Sequence, residues 1–344
     1  MKKRVTIQDL AKELNTTAST ISRALKDHPA ISKSMKEKVV DLAQKRNYKV
    51  NALAAGLRVG RIKTIGVIVP NINRDFFSSI IAGIEDLAFE KGYNVVICQT
   101  HDKMAREQQY INTLLSTGVS GLLISLSLES SSVSYIDEIK RLGIPLIFFD
   151  RVVEDSQVNR IQNNDKAGAY KAVCHLLDNN YRRIAHFAGP DHINVYKDRK
   201  LGYLEALTAN NIRIEEELII TSDVSLDAGR ASLEKLMQLS NPPDAVFSAS
   251  DYSALGALLY LKEKGISVPQ DFGLVGYSNE NFTALVTPGL TSVDQHGMEI
   301  GKYAVKVFFE EIEEKEKMLP RTIVLDPELI IRGSSSRGEQ KETS

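Results

Sequence analysis

The stretch TIQDLAKELNTTASTISRALKDHPAISKSMKEKVVDLAQKR, residues 6–46, decides the fold of the N-terminal part of this chain. Thr6 and Thr17 stand where helix N-caps belong. Apolar residues then recur three times at the spacing of one helix face: Ile7, Leu10, Ala11 and Leu14, then Ile21, Ala24 and Leu25, then Met35, Val39, Leu42 and Ala43. The pattern predicts three short helices that close a small shared core.

The second predicted helix has an outer face of mostly small residues. Ala18, Ser19, Ser22 and Arg23 lie on that face. In a helix-turn-helix, the second helix presents its N-terminal side chains to base edges in the major groove. Arg23 can make a bidentate contact to guanine O6 and N7, although a DNA phosphate is the simpler partner for an isolated arginine.

Charge divides the chain in the same place. Residues 1–61 contain fourteen lysines and arginines but five aspartates and glutamates, whereas the whole chain has 43 basic and 44 acidic residues. The rest of the chain therefore carries an excess of acidic groups. A basic segment joined to an acidic body is typical of a polyanion-binding module attached to another domain.

Composition indicates a soluble protein with more than one globular domain. The chain has 344 residues, of which 43% are hydrophobic and 25% charged. No apolar run approaches the length of a membrane span, and the N-terminus lacks a secretory signal, so we expect a cytoplasmic protein. Cys98 and Cys174 lack metal-ligand spacing and are expected to be reduced core residues. No metal or cofactor is expected.

A hinge and linker, residues 51–61, is expected to follow the helical domain of residues 1–50. Its first part, NALAAGLR at 51–58, has an asparagine cap and helix-forming alanines. Eight residues are too few to hold a helix alone in water. We expect this segment to become helical only when another surface supports it, and a plain alanine-rich linker is the simpler alternative.

Residues 6–57 resemble the N-terminus of the lactose/galactose repressor family in both motif and spacing. The resemblance implies base-reading roles for three residues and phosphate-anchoring roles for four: Ala18, Ser19 and Arg23, then Thr6, Thr17, Thr20 and Ser22. It also implies that the hinge, with Asn51 and Ala52, becomes helical on double-stranded, pseudo-palindromic operator DNA within a homodimer. Leu57 would then enter the minor groove between base pairs.

From Ile62 onward, short apolar runs alternate with longer amphipathic ones. Strand candidates lie at 64–69, 95–98, 121–125, 145–149, 183–189, 218–221, 245–250 and 272–277. Helix candidates lie at 76–91, 104–116, 166–180, 198–210, 227–239, 252–264 and 297–316. The alternation predicts parallel sheets with helices on both faces. Two such series in tandem predict an α/β domain of two subdomains with a cleft between them.

Residues 62–334 resemble the ligand domain of the same family, which shares its two-lobed fold with periplasmic sugar-binding proteins. Landmarks of the resemblance are IGVIVPNINRDFF, SASDYSALGAL and VPQDFGLVGYSN. It implies three crossings between the lobes, which we place near Gln162, Thr291 and Asp326. The N-lobe then spans about 62–162 and 292–325, and the C-lobe about 163–291 and 326–334. The remaining residues, 335–344, look like a disordered tail.

Residues at the carboxyl ends of the strands are pocket candidates, because wound sheets bind ligands there. The strand ends also offer Asp75, Arg151 and Asn279, and the residues assigned to the pocket are Phe76, Phe77, Ser125, Asp150, Arg199, Asp251 and Ser278. Aromatic faces beside carboxylate and guanidinium groups suit a polyhydroxylated ligand such as a sugar. The resemblance singles out Arg199 as the arginine that holds the effector. One of the two phenylalanines is equally consistent with a core position, and Asp251 with a helix cap.

Ser278 departs from the family pattern, because many members have aspartate at this position. A serine is uncharged and shorter, so both a neutral sugar and an anionic sugar phosphate remain compatible with the pocket.

The resemblance implies a dimeric transcriptional regulator, by family usage a repressor, whose operator affinity changes when a small molecule binds between the lobes. A solute-binding protein for sugar uptake is the alternative, but such a protein has an export signal and no DNA reader. An enzyme is a third possibility. The chain contains no GxGxxG motif after a strand and no GxxxxGK[ST], HExxH or GxSxG motif, which argues against it.

Overall fold

The computed structural model describes residues 5–46, 48, 62–130, 132–154, 157–314 and 319–337. The chain forms two compact units, Met1–Ile62 and Lys63–Ser344. The predicted hinge residues Asn51, Ala52 and Leu57 lie outside the described residues. Among the described helices, none is both long enough and apolar enough to cross a bilayer.

The N-terminal unit contains the three predicted helices, α1 (Ile7–Glu13), α2 (Ala18–Leu25) and α3 (Lys33–Lys45). Every apolar residue that the sequence pattern selects belongs to the cluster at their centre, which is built on Leu10, Ile21 and Val39. The predicted caps are confirmed as well. The side chain of Thr6 accepts from the Asp9 backbone N–H, and that of Thr17 accepts from the Thr20 backbone N–H.

The α/β unit begins with a first series of strands and helices. These are β1 (Thr64–Val69), α4 (Asp75–Glu90), β2 (Asn94–Gln99), α5 (Met104–Thr117), β3 (Gly121–Ile124), α6 (Tyr135–Arg141), β4 (Leu146–Phe149) and β5 (Asn159–Asn163). Strands β1, β3 and β4 are fully buried, as expected for parallel strands covered on both faces.

The second series continues the same alternation. It comprises α7 (Asp165–Asp178), β6 (Ile184–Ala188), α8 (Asn194–Ala209), β7 (Ile219–Thr221), α9 (Leu226–Leu236), β8 (Ala245–Ser248), α10 (Asp251–Glu263), β9 (Gly273–Tyr277) and β10 (Thr291–Asp294). The chain then forms α11 (Gly297–Glu313), β11 (Thr322–Leu325) and β12 (Glu328–Ile330).

These strands form two six-stranded sheets in the described part of the chain. The first has the order β11-β5-β4-β3-β1-β2 and is parallel throughout. The second has the order β12-β10-β9-β8-β6-β7, with β12 antiparallel to β10. The predicted α/β class with parallel sheets is confirmed. We call the half built on the first sheet the N-lobe and the other half the C-lobe.

The predicted lobe boundary near Thr291 and the predicted start of the C-terminal tail need correction. Strand β10 pairs with β9 in the second sheet, so residues 292–294 belong to the C-lobe and not to the N-lobe, and the chain crosses after Asp294. The predicted tail also starts too early. Ser335 is fully buried, and its hydroxyl lies 2.8 Å from His175 Nε2 and 2.6 Å from Thr291 Oγ1. The tail residues 338–344 lie outside the described part.

One buried histidine makes the stability of the C-lobe depend on pH. His186 stacks between the rings of Tyr203 and Phe247, each centroid 5.0 Å away, and its Nδ1–H donates to the Phe247 carbonyl. Burial lowers the pKa of His186 from 6.5 to about 4. Between these two values the unfolded chain binds a proton that the folded chain does not. The free energy of unfolding should therefore fall as the pH is lowered through this range.

Replacing His186 with Phe should remove this contribution, because the phenyl ring fills the same stack and cannot bind a proton. We expect the slope of unfolding free energy against pH to decrease by up to about 1.4 kcal/mol per pH unit below pH ~6.5. Urea unfolding of both proteins between pH ~7 and ~5 measures the two slopes. Parallel curves for the two proteins would contradict the assignment.

Candidate functional site

In the N-terminal unit, the outer face of α2 can contact another molecule. Ser19 and Arg23 are exposed, and Ala18 and Ser22 are half-buried beside them. The Arg23 side chain bonds to none of the described residues, so its guanidinium is free to contact another molecule. Small side chains around one arginine allow a helix to approach base edges closely.

The four residues with predicted phosphate roles lie at the starts of the first two helices or along α2. The N-caps of α1 and α2 are Thr6 and Thr17, and α2 itself contains Thr20 and Ser22. The Thr20 hydroxyl lies 3.0 Å from the Thr17 hydroxyl. The Thr6 hydroxyl donates to the Asp9 carboxylate at 2.7 Å. The Asp9 carboxylate also accepts from the Thr6 backbone N–H at 2.8 Å, so a carboxylate is the anion at the start of α1 in this structure.

The α/β unit has a cleft between its two lobes, with about 620 Å³ of space that is partly continuous with solvent. Its wall combines aromatic rings with guanidinium, carboxylate and amide groups: Asn71, Arg74, Phe76, Phe77, Asp102, Leu128, Asp150, Arg151, Val195, Tyr196, Arg199, Asp223, Val224, Ala249, Ser250, Tyr252, Ser278, Glu280 and Gln295. Rings and paired polar groups of this kind suit a polar organic ligand with apolar faces.

Arg199 organises the C-lobe side of the cleft from the first half of α8. Its Nε–H donates to Asp165 Oδ1, its Nη1 donates to the Ala249 carbonyl and its Nη2 donates to Gln295 Oε1, each at 2.8 Å. The guanidinium also lies 3.8 Å above the centre of the Tyr277 ring. Three of the five N–H bonds of an arginine are thus used by described partners, which leaves others for a ligand.

Gln295 connects Arg199 to Ser278. The Gln295 amide accepts from Arg199 and donates through Nε2 to Ser278 Oγ at 2.9 Å. Ser278 has a φ of 115°, a region that L-residues rarely adopt, directly after β9. Because Gln295 occupies an acceptor site of the hydroxyl, the Ser278 O–H proton remains free to reach a ligand acceptor.

The N-lobe contributes a buried carboxyl group and a second arginine. Burial raises the pKa of Asp150 to about 6, while the nearby Arg151 and Arg199 guanidinium groups oppose that shift. Arg151 forms an ion pair with Asp102 and donates to the Tyr196 hydroxyl across the cleft at 3.4 Å. Burial would otherwise penalise this cation, and the partner carboxylate offsets the penalty.

Comparisons with known proteins find matches for both units of the chain. Residues 6–51 match the model of bacterial regulatory proteins of the lacI family, and residues 173–335 match a periplasmic binding protein-like domain. The HTH-type transcriptional repressor PurR of Actinobacillus pleuropneumoniae serotype 3 (strain JL03) is 30% identical over 330 residues, which cover 96% of this chain and 98% of the relative. The chain belongs to the lacI family of bacterial regulatory proteins.

A further relative and a solved structure are similar to this chain along most of its length. The ribose operon repressor of Haemophilus influenzae (strain ATCC 51907 / DSM 11121 / KW20 / Rd) is 30% identical over 329 residues, covering 96% of this chain and 98% of the relative. The solved structure of a transcriptional regulator CelR-cellobiose complex matches with a TM-score of 0.73 and 26% identity, covering 96% and 100% of the two chains. The chain is accordingly a DNA-binding transcriptional regulator with a periplasmic-binding-protein-like domain.

The structure brings five of the seven predicted pocket residues of this lacI-family protein to the cleft wall. They are Phe76, Phe77, Asp150, Arg199 and Ser278. The two phenylalanine rings lie 5.2 Å apart, and both are largely buried while lining the cleft.

Ser125 and Asp251 lie behind the wall instead, because their side-chain oxygens are bonded within the protein. Ser125 donates to Asp150 Oδ2 at 3.2 Å. Asp251 accepts from the Ser292 hydroxyl at 2.6 Å and from the Glu280 backbone N–H at 2.9 Å. Burial raises the pKa of Asp251 to about 7. Both side chains position wall residues and do not themselves form part of the wall.

Several wall residues were missed in the list of predicted site residues. Arg151 follows a predicted strand and is a strand-end candidate, but the residues assigned to the pocket do not include it. Gln295 follows β10, a strand that was not predicted, and Tyr196 lies in the first turn of α8, which begins earlier than predicted. Asp102 and Glu280 lie in loops, where no local pattern marks a pocket.

Proposed function

We propose that this regulator binds a pseudo-palindromic operator as a homodimer and that a neutral sugar bound between its lobes changes the operator affinity. The observation that supports a neutral ligand is the pairing of charge in the cleft wall. Arg199 pairs with Asp165 and Arg151 pairs with Asp102. Because both cations are already compensated, they offer directed hydrogen bonds to hydroxyl groups without a net attraction for an anion. The third arginine of the wall, Arg74, lies close to the Glu280 carboxylate, whose pKa burial raises and this guanidinium lowers.

The names of the similar proteins point in the same direction. One relative is a ribose operon repressor, and one similar structure is a complex with cellobiose. A sugar ring can stack on Phe76 or Phe77 while its hydroxyl groups bond to Asp150, Arg199 and Ser278. We assign these five residues as effector-binding residues on that basis.

DNA recognition is assigned to the outer face of α2 and to the hinge. Ala18, Ser19 and Arg23 face the major groove in this proposal, and the hydroxyl residues at the helix starts contact phosphates. In this proposal the first part of the hinge, residues 51–58, becomes helical only on DNA, where Leu57 opens a base step in the minor groove. Effector binding shifts the population of lobe arrangements and thereby changes how the two hinges of a dimer meet the operator.

Operator affinity of the full-length protein, measured with and without a sugar, tests the proposal. Binding-site selection on genomic fragments would first provide the operator, and titrations would then use D-ribose, cellobiose and ribose 5-phosphate as probes. We expect a neutral sugar to change operator affinity and the phosphate to have no effect. Ser278→Asp should preserve or improve the response to the neutral sugar, because a carboxylate accepts from hydroxyl groups.

The same variant separates the two ligand classes. If only a phosphorylated sugar changes operator affinity, and if Ser278→Asp sharply weakens that response, the neutral-sugar assignment is wrong, since an added carboxylate repels an anion. Failure to select any DNA sequence would contradict the assignment of sequence-specific binding.

A further inference from the structure

The two lobes are joined at the edge of the cleft by two reciprocal hydrogen bonds. The Asp75 backbone N–H of the N-lobe donates to Glu280 Oε2 of the C-lobe at 2.8 Å. In return, the Asn281 backbone N–H of the C-lobe donates to Asp75 Oδ2 at 2.7 Å. We call the Asp75–Glu280 pair with these two bonds the interlobe latch.

Glu280 replaces a cap that helix α4 lacks. The N-cap residue of α4, Arg74, makes no side-chain hydrogen bond to the helix start. The carboxylate of Glu280, which is 3% exposed, accepts there from the opposite lobe. Burial raises the pKa of Glu280, and the backbone N–H groups of Asp75 and Phe76 lower it. Free N–H groups and the positive end of the helix dipole favour a carboxylate at this position.

Arg74 adds a third contact across the lobes. Its guanidinium lies 3.4 Å above the centre of the Tyr252 ring, which belongs to α10 of the C-lobe. Its Nη1 is buried and has no hydrogen-bond partner among the described residues. Arg74, Tyr252 and Glu280 all line the cleft, so a ligand held there meets the same residues that hold the lobes together.

We propose that Asp75 and Glu280 are positioning residues that couple effector binding to lobe closure. This inference rests on the proposed effector function and names its regulation. The latch exists only while the lobes are closed, because each bond joins one lobe to the other. A ligand hydroxyl can accept from Arg74 Nη1 without displacing the Glu280 carboxylate from the start of α4. Such a ligand binds the closed lobes while the latch is intact, and it therefore stabilises the closed arrangement.

Hydrogen exchange of the full-length, ligand-free protein tests the coupling without an effector or DNA. The distant reporter is the Val152 backbone N–H, which donates to Asn194 Oδ1 of the C-lobe at 2.9 Å. If the latch governs closure, Glu280→Ala should speed exchange at both Asp75 and Val152 by at least about tenfold, because both amides then lose a partner in the other lobe. Asp75→Ala should likewise speed exchange at Val152.

Asp244→Ala is the matched control. The Asp244 carboxylate also accepts hydrogen bonds from backbone N–H groups, but its donors lie in the same lobe. It accepts from Arg182 at 2.8 Å and from Arg183 at 2.9 Å. In the control we expect faster exchange at these two amides and an unchanged exchange rate at Val152. If Glu280→Ala leaves Val152 unchanged, the pair is a local helix cap and the proposal is overturned.

Milder variants keep the test decisive if an alanine variant does not fold. Glu280→Gln and Asp75→Asn remove the charge and retain an acceptor, so a smaller increase at Val152, by about two- to fivefold, supports the latch and no increase overturns it. The operator titrations with D-ribose and cellobiose remain a separate measurement. Their failure would contradict the proposed function and would leave the exchange result standing.

Discussion

Replacing Arg199 with Ala should strongly destabilise the α/β unit and abolish its response to effector. The change leaves the Asp165 carboxylate, which is 2% exposed, without its cation, and it leaves Gln295 Oε1 and the Ala249 carbonyl without their donor. Breaking a buried ion pair by removing one partner costs about 3–5 kcal/mol. Urea unfolding of the full-length protein should show this loss, and operator titration with a neutral sugar should show no response.

Arg230→Ala is the matched control in the same lobe. Arg230 forms a two-pronged ion pair with Glu263, but both side chains are well exposed. Water replaces the lost bonds, so we expect a change of about 0–1 kcal/mol in unfolding free energy and a normal effector response. Equal losses in the two variants would show that the Arg199 network does not hold the cleft wall together.

Replacing Arg23 with Ala should weaken operator binding by about 1–3 kcal/mol per half-site and relax specificity at one symmetric base position. The reason is its exposed position on the outer face of α2, with small residues on either side. Binding to a set of operators, each altered at one base pair, measures the effect. The variant should no longer distinguish the base that Arg23 reads.

Lys26→Ala is the comparison for this experiment, because it also removes one positive charge, at the C-cap position directly after α2. A lysine that contacts phosphate lowers affinity evenly for all sequences and reduces the salt dependence. If Arg23→Ala also lowers affinity evenly across the altered operators, Arg23 contacts a phosphate and does not read a base.

Local patterns in the sequence predict most elements of both units. Helices α1 to α3 are short and have clear caps and one apolar face each, so neighbouring residues alone define them. The buried strands β1, β3 and β4 are likewise continuous apolar runs. In contrast, β5 (NRIQN) and β10 (TSVD) are polar and short. Their strand form depends on pairing with neighbours that lie far away in the sequence.

Arg199 illustrates which parts of the site the sequence predicts. Its place in the family motif identifies it as a pocket residue, and the strand-end rule adds Asp150 and Ser278. The sequence does not reveal that Gln295 joins Arg199 to Ser278, because the crossing after β10 brings Gln295 into the cleft. Ser125 and Asp251 follow the same strand-end rule, yet buried neighbours engage their oxygens behind the wall.

The sequence by itself determined the helix-turn-helix, the two α/β lobes and the kind of protein, because helix spacing, strand runs and family motifs depend on residues close together in the chain. The tertiary structure decided which polar groups meet. Asp75 and Glu280 are separated by 205 residues in the sequence and form a hydrogen bond only because the wound lobes place α4 beside the loop after β9. Contacts of this kind depend on how the chain crosses between the sheets, which no local pattern encodes.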